Sequence, residues 1–323
     1  MAKPKILVTR RWPAEVEAKL AEKYDAAFNR DDVPMVPEEF RQAFLDYDAV
    51  LPTVTDKIGV DAMDLAEPRT RLLANYGVGY THIDMPRADA HGMVVTNTPD
   101  VLSDCTADLA MTLLLMAARR AGEGEREVRA GKWTGWRPTH LVGTKVSGKT
   151  LGIVGFGRIG QEMARRAHHG FGMKIVVHNR SAVAKDVLAR FGATQAKDLD
   201  DLLPRCDFVS LHCPGGAENR HLIDARRLDL MQPGAFLINT ARGEVINEDD
   251  LVAALARKTI AGAALDVFEG EPDISPNLLQ SDGLVMLPHL GSATAETRNA
   301  MGFRVLDNVG AFFDGKTPPD RVN

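Results

Sequence analysis

Cysteine is scarce in this chain. Cys105, Cys206 and Cys213 are the only three, odd in number and without metal-ligand spacing, which leaves no disulfide framework and no thiolate metal centre. They read as reduced thiols of a cytosolic protein, and no bound metal is expected. Basic charge is not in excess either. With 39 Lys and Arg against 44 Asp and Glu the formal net charge is −5, so no basic face neutralises phosphate backbones and nucleic acid is not expected as a partner. Long apolar runs are also missing. The start, MAKPKILVTRRWP, has no stretch long enough for a signal peptide and reads directly as a strand. The most apolar segment, ADLAMTLLLMAA, runs for about twelve residues where a bilayer needs roughly 20. The expectation is a cytoplasmic protein with no membrane partner. Low-complexity tracts are absent, and what remains, 323 residues at 45% hydrophobic and 26% charged, is an ordinary globular composition too long for one core. Two domains are expected.

The first hundred residues alternate short apolar runs (KILVT, AVLPT, LLANY, MVVTN) with amphipathic segments at Pro13–Lys23 and Pro37–Leu45, a βα alternation that predicts a parallel sheet. A second series begins at TLGIVGF and continues through KIVVHN, FVSLHC, AFLINT, GAALDVF and LVMLPH, enough for a complete doubly wound sheet. Between the two, SDCTADLAMTLLLMAARR predicts one unbroken connecting helix to Arg120 with Ser103 as its N-cap. A last helical segment, Ala295 to Phe313, has no strand partner and is expected to cross back to the first domain. The fold class is therefore α/β, with two Rossmann-like domains: residues 1–99 and 291–323 in one, 100–290 in the other.

Gly155, Gly157 and Gly160 in GIVGFGRIGQEMARR follow an apolar strand and precede a helix, the context that makes G-x-G-x-x-G a dinucleotide turn. Gly155 permits the turn, Gly157 lets backbone approach a pyrophosphate, Gly160 lets helix and strand pack, and the helix N-terminus, with Arg158 and Ile159, faces the phosphates. An Asp or Glu roughly 20 residues on usually holds the adenosine ribose, and the same charge repels a 2′-phosphate. KIVVHNRS has none. Asn179 removes the repulsion, Arg180 offers a positive fork and Ser181 a hydroxyl, so the stretch predicts NADP(H) as the preferred cofactor, with NAD(H) usable. Pro214, Thr240 and Gly291, at strand ends, complete the expected nucleotide-binding set.

Three polar stretches, NTARGEVIN, LDVFEGEP and LPHLGSAT, lie at or near strand ends, where an open α/β sheet places its ligands. Arg242 supplies a fork that binds a carboxylate bidentately. His289 can give or take a proton near neutral pH, and Glu271 can hold that ring charged if the two meet. Spacing alone does not bring them together, and each alone also fits an ion pair, a structural histidine or a loop charge.

These motifs resemble those of the D-isomer-specific 2-hydroxyacid dehydrogenases over essentially the whole chain. The resemblance implies a catalytic set of Arg242, Glu271 and His289, a flavodoxin-like substrate domain beside the NAD(P)-binding domain, and hydride transfer to a small 2-keto acid. It also implies that NYGVGYTHID is the substrate loop, with N–H groups near Val78 and Gly79 holding a carboxylate beside Asn75, and that Asp266 lies near the nicotinamide carboxamide. PDVLSDCTADLAMTLLLMAARR, GKWTGWRP and GSATAETRNAM look like the glyoxylate/hydroxypyruvate reductase branch, which implies a homodimer with Trp136 at the partner's substrate pocket. Glu271 stands where similar formate dehydrogenases carry glutamine, and because the sequence ends soon after the helix at Phe313 a long phosphoglycerate dehydrogenase with an added regulatory domain is not expected, whereas a short form fits as well. Dehydrogenases for another D-2-hydroxy acid, such as D-glycerate or D-lactate, and nucleotide-sensing co-repressor scaffolds share the motif set. The scaffolds differ in their long disordered tail or basic import segment, which this sequence does not show.

Overall fold

The computed structural model describes residues 2–323, and they divide into two compact units, the chain up to Leu102 together with Ala293–Asn323, and Ser103–Ser292. In the first, strands β1 (Lys5–Val8), β2 (Asp25–Phe28), β3 (Ala49–Leu51), β4 (Leu72–Ala74) and β5 (Val94–Thr96) form a parallel sheet in the order β2-β1-β3-β4-β5. That is the flavodoxin-like order. The helices Ala14–Lys23 and Pro37–Asp46 bury Val16 and Leu20, and Phe40 and Phe44, at helical spacing. The helix Ala295–Phe313 returns to this unit, where a side chain at Gly302 would stand 2.6 Å from a Val16 methyl. The C-terminal residues finish the sheet edge: Val322 N–H donates to Val95 O at 2.9 Å and Arg321 bridges Thr96 antiparallel.

In the second unit, β6 (Thr150–Val154), β7 (Lys174–His178), β8 (Ala193–Gln195), β9 (Phe208–Leu211), β10 (Phe236–Asn239), β11 (Gly262–Leu265) and β12 (Leu284–Met286) form a parallel sheet in the order β12-β11-β10-β9-β6-β7-β8. The order reverses between β6 and β9, and the crevice outside that switch point is where such sheets bind ligands. Every residue of β9, β10 and β11 is buried, as expected for strands covered on both faces. Leu202, Leu237 and Leu251 lie in the core of one face, and Leu113, Ile153 and Phe208 in that of the other.

The doubly wound α/β class read from the sequence is the observed one, with two additions and two changes. β2 (DAAF) and β8 (ATQ) were not legible, because both are short edge strands with one paired side and little burial, so neither carries an apolar run. The connecting helix ends at Arg119, and Arg120 turns left-handed at φ 53° before a second helix, Ala121–Arg129. Ser103 is the first residue of its helix rather than a cap outside it. Among the described residues no helix is long and apolar enough to cross a membrane.

Candidate active site

The glycine turn leaves β6 at the switch point. Gly155 has φ 91°, and a Cβ there would lie 2.7 Å from both Cys213 N and His212 C, so the β6 and β9 ends approach backbone to backbone. A Cβ on Gly160 would collide with Gly155 O, whereas one on Gly157 would meet nothing within 4 Å. Two glycines thus seal the turn and the third leaves it open outward. The helix Arg158–Arg165 follows with no side-chain cap, and among the described residues no protein acceptor meets the Gly157 or Ile159 N–H. Asn179, at the end of β7, accepts from Phe156 N–H at 3.2 Å and donates to Ser181 O and Oγ at 3.2 and 3.1 Å, joining the turn to the polar stretch. Arg180 extends to Glu218 at 2.5 Å, both side chains nearly four-fifths exposed. Pro214 O accepts from Asn219, and the Thr240 hydroxyl is buried with no partner among the described residues.

The β10 and β11 ends carry the charged groups. Asn239 closes the turn after β10 by accepting from Ala241 N–H at 2.9 Å and donating to Arg242 O at 2.9 Å. At Gly243 a Cβ would run into the backbone of Phe268 and Glu269, so only glycine lets the Arg242 turn rest on the loop that carries Glu271. Arg242 donates to Ala241 O at 2.6 Å and forms no ion pair among the described residues. Its burial lowers the guanidinium pKa, opposed by the nearby Glu271 and Glu244 carboxylates. Glu244, which the sequence reading passed over inside NTARGEVIN, accepts from Gly216 N–H at 2.6 Å. Gly215 packs where a Cβ would stand 2.9 Å from Arg242 Cγ.

His289 and Glu271 do meet. Nδ1 of the ring lies 2.6 Å from Glu271 Oε1. A carboxylate there accepts only, so Nδ1 carries the hydrogen and Nε2 is left for another partner. Burial pushes the Glu271 carboxyl up, but the hydrogen bond and charge of His289, the Phe268 N–H and Arg242 together hold it below its ordinary value. His289 adopts φ 54°, a left-handed backbone held by its N–H on Asp266 O at 2.9 Å. Asp266, expected beside the nucleotide, has both carboxylate oxygens engaged: Oδ1 accepts from Leu290 N–H at 2.7 Å and Oδ2 from Gly291 N–H at 2.8 Å. Its burial raises the pKa to about 6 against the pull of those N–H groups and His289. Asp266 is thus the clamp of the histidine turn, which LDVF alone did not disclose.

In the first unit, Asn75 follows β4, is fully buried, and donates through Nδ2 to Gly77 O at 3.0 Å and Gly79 O at 2.9 Å. Among the described residues neither the Val78 nor the Gly79 N–H meets a protein acceptor, and both residues are half-buried. Trp136 stands 83% exposed, with Val128, Trp133 and Val142 also exposed nearby in sequence, and the helix Ala121–Arg129 buries no residue.

The sequence profile described as "D-isomer specific 2-hydroxyacid dehydrogenase, NAD binding domain" matches residues 111–291. Glyoxylate reductase from Thermococcus onnurineus is 43% identical over 99% of this chain and 96% of its own length, and that from Thermococcus litoralis is 44% identical over 99% and 97%. Among solved structures, an NADPH-dependent glyoxylate/hydroxypyruvate reductase from Sinorhizobium meliloti, in complex with NADP and malonate, superposes with a TM-score of 0.86 at 36% identity, covering 99% of this chain and 97% of that one. The strand order, the glycine turn and these matches make the chain a member of the D-isomer specific 2-hydroxyacid dehydrogenase family, an NAD(P)-dependent oxidoreductase.

Proposed function

We propose that the protein reduces small 2-keto acids, glyoxylate first and hydroxypyruvate next, to 2-hydroxy acids with NADPH. The observation that carries this is the 2.6 Å His289–Glu271 pair in the same unit as a partly buried arginine that has no ion pair among the described residues. A proton donor and a carboxylate-seeking charge are what a 2-keto acid requires. The nucleotide fits the residues present: the turn seals on two glycines and opens at Gly157, and among the described residues the Gly157 and Ile159 N–H groups meet no protein acceptor and the buried Thr240 hydroxyl has no partner. Gly155, Gly157, Arg158, Ile159 and Gly160 would hold its pyrophosphate, with Pro214, Thr240 and Gly291 along the strand ends. Bound reduced nicotinamide supplies the hydride that the keto carbon receives. His289 delivers its Nε2 proton to the carbonyl oxygen, and Glu271 holds the ring in place through Nδ1. Arg242 grips the carboxylate and carbonyl oxygen, stabilising the negative charge that grows on the latter. Asn75 with the Val78 and Gly79 N–H groups binds the substrate carboxylate.

NADPH is preferred because Asn179, Arg180 and Ser181 stand where an acidic residue would repel a 2′-phosphate. Among the described residues Arg180 is engaged only by exposed Glu218, a pair worth about 0–1 kcal/mol, so a phosphate displaces that carboxylate readily. A panel of 2-keto acids assayed by loss of absorbance of NADPH and NADH tests the proposal. Arg180→Ala is expected to weaken NADPH by roughly 10- to 150-fold and NADH hardly at all, the cost of a hydrogen bond to a charged group. Equal losses for both cofactors, or a wild type that prefers NADH, would remove Arg180 from phosphate recognition. A chain that binds nucleotide and turns over no keto acid would be a sensor scaffold instead.

The exposed Val128, Trp133, Trp136 and Val142, around a helix that buries nothing in its own chain, are read as a dimerising arm, with Trp136 reaching the partner's substrate pocket. Sedimentation at micromolar concentration is expected to give twice the 35.2 kDa chain mass. A monomer would sink both assignments.

A further inference from the structure

The proposed carboxylate site in the first unit is made of backbone N–H groups, and such groups are only as well aimed as their peptide planes. In a planar trans peptide the C=O and N–H point in opposite directions, so a donor that holds the oxygen also sets where the hydrogen points. Both peptides of interest are held this way. Gly77 O, whose peptide carries the Val78 N–H, accepts from Asn75 Nδ2 at 3.0 Å and from Thr98 N–H at 3.1 Å. Val78 O, whose peptide carries the Gly79 N–H, accepts from Asn97 Nδ2 at 2.9 Å.

Asn97 is itself anchored from far along the chain. Its N–H donates to Asp320 O at 3.2 Å and its carbonyl accepts from Asn308 Nδ2 at 3.3 Å. Asn308, fully buried in the helix Ala295–Phe313, exchanges hydrogen bonds with Asp320, through Nδ2 to Oδ2 at 2.9 Å and from Asp320 N–H to its Oδ1 at 3.0 Å. Arg304 reaches Asp320 Oδ1 at 2.7 Å. A buried polar chain of this length is costly unless every member is satisfied, and apolar packing would close the helix onto the sheet without it.

We infer that Asn97 is a positioning residue for substrate: held by Asn308 and Asp320, it orients and polarises the Val78–Gly79 peptide so that the Gly79 N–H is a fixed donor to the substrate carboxylate. The inference rests on the reading of this loop as the carboxylate site. A hydrogen bond accepted at the oxygen also strengthens the N–H as a donor, by about 10–30%. The helix and the C-terminal tail thereby tune substrate affinity without touching substrate.

Asn97→Ala is expected to raise KM for glyoxylate and Kd for oxalate, an unreactive keto-acid mimic, by roughly 3- to 10-fold, the worth of one neutral hydrogen bond. The kcat and the nucleotide Kd should stay within about twofold, a split that general loosening would not produce. Asn97→Asp, which presses an acceptor and a negative charge against Val78 O, should raise KM further, and Asn97→Ser replaces the alanine variant if that one does not fold. The second readout is the amide resonance of 15N-labelled Gly79 with NADP⁺ bound, before and after oxalate. It should move strongly in the wild type and weakly in the variants. A wild-type Gly79 amide indifferent to oxalate overturns the carboxylate reading of the loop, and the inference with it. A Gly79 amide that moves equally in wild type and variants, with KM unchanged or with the whole loss in kcat, overturns the role of Asn97 alone.

Discussion

Replacing His289 with alanine is expected to lower reductive turnover by roughly 10²- to 10⁴-fold while nucleotide affinity changes little, since a positioned general acid typically contributes that much. The ring is attached to Glu271 through Nδ1 at 2.6 Å, so its one transferable proton toward substrate is on Nε2. Only the protonated ring can reduce, so the rate of reduction falls as pH rises, and the reverse oxidation, which needs the neutral ring, gains over the same range. Glu271→Gln keeps a side chain of the same shape and removes the carboxylate that holds Nδ1 of the ring. It should cut the reductive rate. Steady-state rates in both directions across about pH 6–10 check this. Unchanged turnover in His289→Ala would take the residue out of the chemistry, and a pH-independent reduction in a variant known to be limited by chemistry would do the same for proton donation.

Arg242→Met is expected to lower kcat/KM for glyoxylate by roughly 10²- to 10³-fold, the usual loss when one donor to a developing oxyanion is removed. Arg242→Lys should recover only part of it, because an ammonium cannot match the two-point geometry of a carboxylate. The same Met variant should be no less stable than the wild type. Arg242 is a partly buried charge whose side chain donates to Ala241 O and forms no ion pair among the described residues, and burial works against its charged form, so an apolar side chain of similar length removes a desolvation penalty. Activity lost with the melting temperature held or raised marks a residue kept for function at a cost in stability. A Tm lowered by more than about 4 °C, which corresponds to more than about 1 kcal/mol in a domain of this size, would instead make Arg242 a structural residue.

How much of this was legible beforehand differs from residue to residue. The glycine turn could be read directly, because each glycine answers a local steric demand, and the distances at Gly155 and Gly160 show that demand met by backbone atoms. The absence of an acid in HNRS was equally plain, since it is a property of three adjacent side chains. Arg242, Glu271 and His289 were legible as residue types at strand ends but not as a group. Glu271 and His289 are separated by β12, and they meet only because β11 and β12 are adjacent and Asp266 draws the histidine turn onto the end of β11. Glu244 and Asn97 gave no signal, one lying inside a motif already accounted for by its arginine, the other reading as an ordinary turn residue after a strand.

Sequence by itself therefore determined whatever depends on a residue and its near neighbours: the βα alternation, the glycine turn, the lack of a ribose-binding acid, the helices that bury Val16 and Phe40. Tertiary structure decided what depends on strand order and long-range approach. It left Arg242 without an ion pair among the described residues, engaged both oxygens of Asp266 on backbone N–H groups, and tied Val78 O through Asn97 to Asp320 at the far end of the chain. The physical reason is range. Steric and hydrogen-bonding needs within a turn act over a few residues and leave their mark in composition, whereas the partner of a buried polar group is chosen by which strands and helices come to lie side by side, and no local pattern records that choice.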